Sequence, residues 1–184
     1  MPVEALTADR CDALLRFFAG LPEGDLTFIK EEVTDPATVR SWAGGEGAGG
    51  RWVAVEDDAD GGVAVIGYVA VRPLSGWSDH VGEVRLVVSS ARRGSGLGRE
   101  LARRALVEAV SSGLAKLVVE IVAEQGAALA LFTDLGFTGE ALLVDHIRDR
   151  NGELRDLMVL AHHVQDTWAG MDAVGVADDL SEAG

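Results

Sequence analysis

A glycine-rich segment, Arg93-Gly94-Ser95-Gly96-Leu97-Gly98, follows a valine-rich run and precedes a helical pattern that is rich in arginine. Glycines allow successive backbone N–H groups to converge without Cβ clashes, and the N-terminus of a helix adds a partial positive charge. Residues 85–104 contain six arginines and one glutamate, a net charge of +5, in a chain of net charge −14. The combination predicts a cradle for a polyphosphate. A solvated helix behind a flexible loop is the alternative.

Spacing separates the nucleotide motifs that could use these glycines. A Walker loop ends in Gly-Lys-Ser/Thr, whereas this chain has Gly98-Arg99-Glu100. A dinucleotide fingerprint counted from Gly94 requires glycine or alanine where Arg99 stands, although Glu120 lies near the distance expected of a ribose-binding acid. Both motifs fit badly.

A third pattern fits without adjustment. Residues 93–98 resemble the [RQ]-x-x-G-x-[GA] pyrophosphate motif of the GNAT superfamily of acyl-CoA N-acyltransferases. Residues 125–137 resemble the family's N-x-x-A-x-x-L-Y-x-x-x-G-F helix, with Gln125 in place of asparagine and Phe132 in place of tyrosine. The resemblance extends over residues 1–164 and is weakest before residue 80.

The resemblance implies acetyl-CoA as co-substrate and direct attack by a primary amine of an unidentified small molecule or protein, without a covalent enzyme intermediate. The pantetheine arm would lie along the backbone of the strand before the glycines, and amides from Arg93 to Arg99 would hold the pyrophosphate. The residues implied to bind acetyl-CoA are Leu86, Val87, Val88, Arg93, Gly94, Ser95, Gly96, Leu97, Gly98, Arg99, Gln125 and Phe132.

Catalysis by direct attack requires a neutral amine. An amine with a pKa of about 10.4 is mostly protonated at neutral pH, and deprotonating it costs roughly 4 to 5 kcal/mol. The family often places a carboxylate early on the strand before the glycines, which makes Glu83 the candidate base. An exposed charge near a strand start is the structural alternative.

Phenylalanine at position 132 cannot protonate the departing thiolate, a role that the family's tyrosine often has. Tyr68, the single tyrosine, lies on a predicted central strand and is interpreted as core or cleft lining. A thiol with a pKa of about 8.5 can leave as thiolate and take its proton from solvent. A GNAT-like module that binds acyl-CoA as a sensor or scaffold therefore stays the main alternative. A nucleotide-binding regulatory domain would leave residues 125–137 unexplained.

The expected partner is a cationic amine such as a polyamine, an aminoglycoside-like amine or a lysine side chain, since residues 23–35 are acidic and contain one lysine, Lys30, beside Phe28. A solvated acidic loop would give the same pattern. Arginines confined to one stretch of an acidic chain argue against nucleic acid. No metal site is expected, because none of the four histidines has H-E-x-x-H or carboxylate spacing. Those histidines are His80, His146, His162 and His163.

Length and composition predict one domain, residues 1–164, followed by an acidic, mobile tail, residues 165–184. No apolar run is as long as a membrane span, and the N-terminus does not have the pattern of a signal peptide, so we expect a cytoplasmic protein without membrane contact. The single cysteine, Cys11, is expected to be a packed thiol. A homodimer is an option that the sequence leaves open.

The pattern of strands and helices is β-α-α-β-β-β-α-β-α-β-β. Thr7 is expected to cap the first helix, which Pro22 and Gly24 end, and Asp35-Pro36 begins the second. A final hairpin is expected to turn at Asn151-Gly152. The resemblance implies an α/β (α+β) GNAT fold: a mixed, mostly antiparallel sheet of about seven strands with helices on both faces. Its splayed parallel pair, residues 81–89 and 117–122, would form the cofactor cleft.

Overall fold

The computed structural model describes residues 1–26, 29–43, 49–58 and 61–165 of the 184-residue chain. Phe28 and residues 166–184 of the expected tail lie outside these ranges. The helices are α1 (Cys11–Ala19), α2 (Glu23–Leu26), α3 (Pro36–Ser41), α4 (Leu97–Ser111) and α5 (Gly126–Asp134). The strands are β1 (Val3–Ala5), β2 (Gly50–Asp57), β3 (Val63–Pro73), β4 (Val81–Val88), β5 (Lys116–Val122), β6 (Thr138–Arg148) and β7 (Leu154–His163).

Within the described ranges, seven strands form one sheet in the order β1-β2-β3-β4-β5-β7-β6. The pair β4–β5 is parallel, and the other neighbouring strands are antiparallel. This topology confirms the predicted mixed sheet and its central parallel pair. Among the described helices, none has the length and apolar character needed to span a bilayer.

Side chains alternate across the long central strand β3 and divide the core into two layers. Tyr68 and Ala70 belong to the layer that includes Phe18 of α1. Val69 and Val71 belong to the opposite layer, which includes Leu101 of α4. Full burial of a valine, leucine or phenylalanine side chain in these layers stabilises the fold by about 1.5–3 kcal/mol. Helices therefore cover both faces of the sheet, as predicted.

The prediction that Thr7 caps the first helix is wrong. A 3-10 turn at residues 8–10 comes first, α1 begins at Cys11, and the Thr7 side chain makes no capping hydrogen bond. The Thr7 carbonyl instead accepts from the Cys11 thiol at 3.7 Å. Burial raises the pKa of the Cys11 thiol, whose residue is 2% exposed. Cys11 is therefore the packed thiol that the sequence predicts.

The next two helices begin just after Pro22 and Asp35, and only the second start is the one that the sequence predicts. Pro22 does not end α1, which stops at Ala19, but precedes α2. Its carbonyl accepts from the N–H groups of the third and fourth residues that follow it, at 2.9 and 3.1 Å, and proline is tolerated in a first helical turn. Gly24 accordingly lies inside α2. The prediction for Asp35 is confirmed, since its side chain accepts from the N–H of Thr38 at 2.9 Å and caps α3.

The last two strands form the expected hairpin with a different turn. Asp149 and Glu153 close the loop, with the N–H of Asp149 donating to the carbonyl of Glu153 at 2.8 Å. Three residues lie between them, and Gly152 has a φ of +85° whereas Asn151 does not have a positive φ. A three-residue loop with glycine in the left-handed position replaces the two-residue Asn-Gly turn. The Asp149 side chain, which accepts two backbone N–H groups at 2.9 Å, favours this form.

Stability of this hairpin should depend on pH through Asp149. Burial acts to raise the pKa of Asp149, but hydrogen bonds from Glu153, Arg155 and Asn151 outweigh it and lower the pKa. A lowered folded-state pKa gives stability that is present above the unfolded pKa of about 3.9 and is lost as pH falls through the folded value. We expect Asp149→Asn to lower Tm at pH 7 and the difference from wild type to disappear in acid, measured by thermal unfolding. Glu153→Gln is the control, and an Asp149→Asn deficit that is constant with pH would contradict the assignment.

Candidate active site

The two parallel strands separate halfway along their length. Pairing between β4 and β5 runs from Val81 to Val84, whereas residues 85–88 have no partner on β5. Beyond this point β4 still pairs with β3, and β5 with β7. The splayed pair is thus confirmed. Backbone groups of residues 85–88 on the β5 side face an open cleft, where an extended ligand could pair with them as an added strand does.

The glycine-rich turn lies between β4 and the N-terminus of α4. Gly94 and Gly96 have φ values of +77° and +90°, and Gly96 is the N-cap residue of α4. No atom lies within 4 Å of the position that a Cβ would occupy at either glycine. Within the described part of the chain, the N–H groups of Gly96, Leu97 and Gly98 have no acceptor. Unpaired N–H groups at a helix N-terminus beside open space form a ready site for an anion.

A cavity of about 630 Å³ lies against this turn and extends along the open side of β4. The sequence-predicted residues that line it are Leu86, Val87, Val88, Arg93, Gly94, Gly96, Gly98, Arg99 and Gln125. Residues that sequence reasoning did not select also line it, chiefly the start of α5 (residues 126–128) and Arg92. The N-terminus of α5 therefore faces the same cavity as that of α4.

The side chains of three predicted residues do not line this cavity. Ser95 donates its hydroxyl to the carbonyl of Arg92 at 2.7 Å. Leu97 is 1% exposed and belongs to the core, so only its backbone is available to a ligand. Phe132 packs edge-to-face against Phe137 at 5.1 Å between ring centroids and borders the neighbouring cavity.

The arginines around the turn form ion pairs with carboxylates, and the sequence pattern does not predict these pairs. Arg93 lies 2.5 Å from Asp25, Arg99 lies 3.0 Å from Asp134, and Arg92 pairs with Glu56. The arginine side chains of these pairs are 39% to 54% exposed. Exposed pairs contribute little stability, about 0–1 kcal/mol, so a phosphate could replace the carboxylate. The segment is less positive in the fold than its sequence suggests.

A second cavity of about 440 Å³ adjoins the first at the point where the strands separate. The residues common to both linings are Leu86, Val87, Gln125, Ala128 and Leu131. Its far wall is aromatic: Trp42 stacks on Tyr68 with ring centroids 5.7 Å apart, and Phe18 meets Tyr68 edge-on at 5.5 Å. The two cavities therefore join where β4 and β5 separate. Arginines and the glycine turn line the larger cavity, whereas aromatic side chains line the smaller one.

A cluster of ion pairs lies where the smaller cavity meets the strands. Arg85 is 2.5 Å from Glu83 and 3.5 Å from Glu31. The ammonium of Lys30 is 3.4 Å from Glu83 and 3.2 Å from Glu120. Glu120 lines the cavity, whereas Glu83 does not and is 8% exposed. Glu83 is thus neither an exposed charge nor a lining group, and it reaches the cavity through Arg85 and Lys30.

Tyr68 lines the smaller cavity but belongs mainly to the core. Burial is the largest cause that raises the pKa of its hydroxyl above the usual range, while the nearby charge of Arg51 acts against it. The residue is 5% exposed and packed by Trp42 and Phe18. The hydroxyl stays protonated at neutral pH, in keeping with the interpretation as core and cleft lining.

His146 reaches the smaller cavity because of a bulge in β6. Leu143 pairs with Leu157 and Ile147 pairs with Arg155, so three residues of β6 lie opposite one of β7. Asp145 in this bulge has a φ of +54°, and its N–H donates to the Asp156 side chain at 2.9 Å. Both His146 and Ile147 line the cavity. In the described ranges, no group of three or more potential ligands is arranged to hold a metal.

Comparison with known proteins decides the family. A family model described as "Acetyltransferase (GNAT) family" matches residues 17–137, well over half of the chain and both predicted motifs. The chain belongs to the GNAT family. N-acetyltransferase 8F1 of Rattus norvegicus is 32% identical to this GNAT protein over 137 residues, which are 71% of this chain and 58% of that protein. The chain thus spans less than two thirds of that relative.

Solved GNAT structures share the fold of this family member. A GCN5-related N-acetyltransferase from Kribbella flavida is 25% identical with a TM-score of 0.74, covering 88% of this chain and 96% of that chain. The protein yncA of Salmonella typhimurium, solved with its cofactor acetyl-CoA, is 20% identical with a TM-score of 0.72, covering 89% and 94%. The predicted GNAT fold is therefore confirmed.

Proposed function

We propose that this GNAT protein, with residues 1–164 as its catalytic domain, transfers the acetyl group of acetyl-CoA to a primary amine with an apolar carbon skeleton. The proposal rests on one observation: two cavities with different linings meet where β4 and β5 separate. One has unpaired N–H groups and arginines suited to phosphates, and the other has carboxylates and an aromatic wall. A ligand lying along β4 would bring its reactive end to that junction.

The lining of the larger cavity fits acetyl-CoA. Space is open at Gly94 and Gly96, where phosphate oxygens could approach the N–H groups, and Arg93 is free to exchange Asp25 for a phosphate. Residues 85–88 supply backbone groups for an extended arm. When bound, acetyl-CoA would supply an activated thioester. The family assignment and the acetyl-CoA present in the Salmonella typhimurium protein support the same choice.

Deprotonation of the amine is the main task of the chain's own residues. The cost of reaching the neutral amine is roughly 4 to 5 kcal/mol at pH 7. Glu120 borders the cavity and would accept the proton, while Glu83 holds Lys30 and Arg85 in place behind it. The carboxylate that the sequence selected thus becomes a positioning residue in this proposal. The departing thiolate would be protonated by solvent, since Phe132 has no hydroxyl.

The acceptor is inferred from the charges and the wall of the smaller cavity. Three carboxylates, Glu31, Glu83 and Glu120, are matched by three cations, because Arg72 also pairs with Glu31 at 2.5 Å. A polyamine would therefore find little net negative charge. An aromatic wall favours an amine whose body is aromatic or aliphatic. The acidic sequence predicts a cationic amine of any kind, and the cavity lining restricts this class to amines with an apolar body.

Binding and turnover are tested separately. Acetyl-CoA, but not ATP or NAD, should raise Tm, since a ligand at 100 times its Kd stabilises the folded state by about 2.7 kcal/mol. Free thiol should then appear when aromatic and aliphatic primary amines are added, and less readily with polyamines. Stabilisation without thiol release for any amine would favour the sensor or scaffold, which the absence of a tyrosine at position 132 makes the second candidate. No stabilisation by any CoA ester would refute both.

Restoring the family's tyrosine tests how the leaving group is protonated. We expect Phe132→Tyr to raise kcat by up to about 100-fold, the lower end of what general acid catalysis typically contributes, because a proton donor at the sulfur would be added to solvent protonation. Phe137→Tyr, which alters the partner ring without bordering the cavity, is the control. A Phe132→Tyr variant with unchanged kcat and unchanged Tm would show that thiolate protonation does not limit the rate.

A further inference from the structure

Lys30 has the surroundings that the acceptor amine needs. Its ammonium lies between Glu83 on β4 and Glu120 on β5, at 3.4 and 3.2 Å, on the two strands that separate to form the cleft. The side chain also lines the smaller cavity. A primary amine of the chain itself therefore stands beside the carboxylate to which the proposed mechanism assigns proton acceptance.

Lysine is rare in this chain, which makes its position informative. Of the 16 lysines and arginines, only Lys30 and Lys116 are lysines. Lys116 lies at the start of β5, and its ammonium pairs with Glu140 at 2.7 and 2.8 Å. It is four residues, about 13 Å along the strand, from Glu120 and lines neither cavity. The chain thus contains one lysine in the site and one outside it.

We infer that Lys30 is a self-acetylation site: the protein transfers an acetyl group from bound acetyl-CoA to the Nζ of its own Lys30. The inference rests on the proposed function, because it uses the same cleft and the same proton acceptor. The side chain is 62% exposed, and a flexible four-carbon stem lets Nζ turn toward the opening between β4 and β5 once it has given a proton to Glu120.

The transfer balances without any further reactant. The ammonium first gives one proton to the carboxylate of Glu120. The Nζ lone pair then forms the N–C bond to the acetyl carbon, the C–S bond breaks, and sulfur takes its electron pair and leaves as thiolate. The nitrogen loses its second proton, one proton ends on the thiolate, and one is released to solvent. The products are acetyl-lysine, free CoA thiol and one proton.

Acetylation would change the charge of the site. The amide is neutral, so the ion pairs of Lys30 with Glu83 and Glu120 are lost, as for any lysine acetylation. Glu120, which lines the cavity, then becomes available to the ammonium of an external acceptor, whereas Glu83 keeps its pair with Arg85. A purely structural ion pair would explain the contacts equally, but it predicts no covalent change at Lys30.

The test uses the full chain incubated with acetyl-CoA in the absence of any amine, followed by mass spectrometry of its peptides. We expect Lys30 to be acetylated at least about ten times faster than Lys116, because proximity raises the effective concentration of the thioester. Heat-unfolded protein, in which both lysines are equally open, is the control for spontaneous acetylation. Lys30→Arg keeps the cation and should show no modification at position 30, while Gly96→Val should lose the preference for Lys30.

Binding is followed in the same samples by the shift in Tm with acetyl-CoA, and turnover by thiol release with external amines. Selective acetylation of Lys30 in the folded wild type supports the inference. Equal rates at Lys30 and Lys116 overturn it. An unmodified Lys30 in a protein that is stabilised by acetyl-CoA and acetylates external amines overturns self-acetylation alone. Absence of stabilisation and of thiol release overturns both the inference and the proposed function.

Discussion

Gly96→Val should raise the Kd for acetyl-CoA at least about 100-fold, a loss of about 2.7 kcal/mol of binding free energy. Gly96 has a φ of +90°, and the space where its Cβ would lie is empty in the free protein. The proposed function places phosphate oxygens there, against the N–H groups that begin α4. A valine would fill that space with its branched side chain and would also disturb the turn that makes these groups converge.

Gly113→Val is the matched control for this substitution. Gly113 follows the other end of α4, has a φ of +70°, and also has no atom within 4 Å of its Cβ position. Both valines should therefore lower stability by a similar amount, about 1–2 kcal/mol for a left-handed residue. Isothermal titration with CoA and acetyl-CoA measures binding, and thermal unfolding measures stability. Equal affinity of Gly96→Val and Gly113→Val for CoA would remove the glycine turn from the binding site.

Local sequence signals predict well the strands, the turn and the helix that surround the site. The glycine spacing of residues 93–98, the periodicity of α4 and the short apolar strand β5 each depend on a few neighbouring residues. The splayed pair itself is implied by the resemblance to the GNAT family, which rests on these local signals, and its parallel arrangement agrees with a strand, a turn and a helix in succession. The cap at Asp35 is equally local. Residues that lie near one another in the chain are therefore the reliable part of the prediction.

Contacts between distant segments are what the sequence does not predict. Arg93 pairs with Asp25, 68 residues away, so its positive charge is partly neutralised in the fold. His146 enters the cavity through a bulge that depends on Asp156 of the neighbouring strand. Glu120, considered only for a dinucleotide site, lines the smaller cavity, and its partner there is Lys30, 90 residues away in the chain. Each of these results from tertiary packing, which composition and spacing do not encode.

Glu120→Gln should lower kcat/KM for the amine about 100-fold near pH 7, within the range for loss of a general base. The amide keeps the size of the side chain but does not accept the proton. The deficit should shrink as pH rises toward the pKa of the acceptor amine, about 10.4, because solvent then supplies the neutral amine. Affinity for acetyl-CoA should not change, since Glu120 does not line the larger cavity.

Glu83→Gln is the matched comparison, because both carboxylates contact the same ammonium of Lys30. Glu83 is buried against Arg85. In Glu83→Gln, Arg85 would still have two carboxylates nearby, Glu31 at 3.5 Å and Glu120 at 4.0 Å. We expect a loss of activity of about tenfold, below the roughly 100-fold or more that a lost general base costs, with the wild-type pH profile, because Glu83 positions Lys30 and Arg85 and does not take the proton. The measurement is kcat/KM against pH for both variants. If Glu83→Gln shows the larger, pH-dependent loss, the base is Glu83, the carboxylate near the start of β4 that the resemblance to the GNAT family indicates, and Glu120 only positions Lys30.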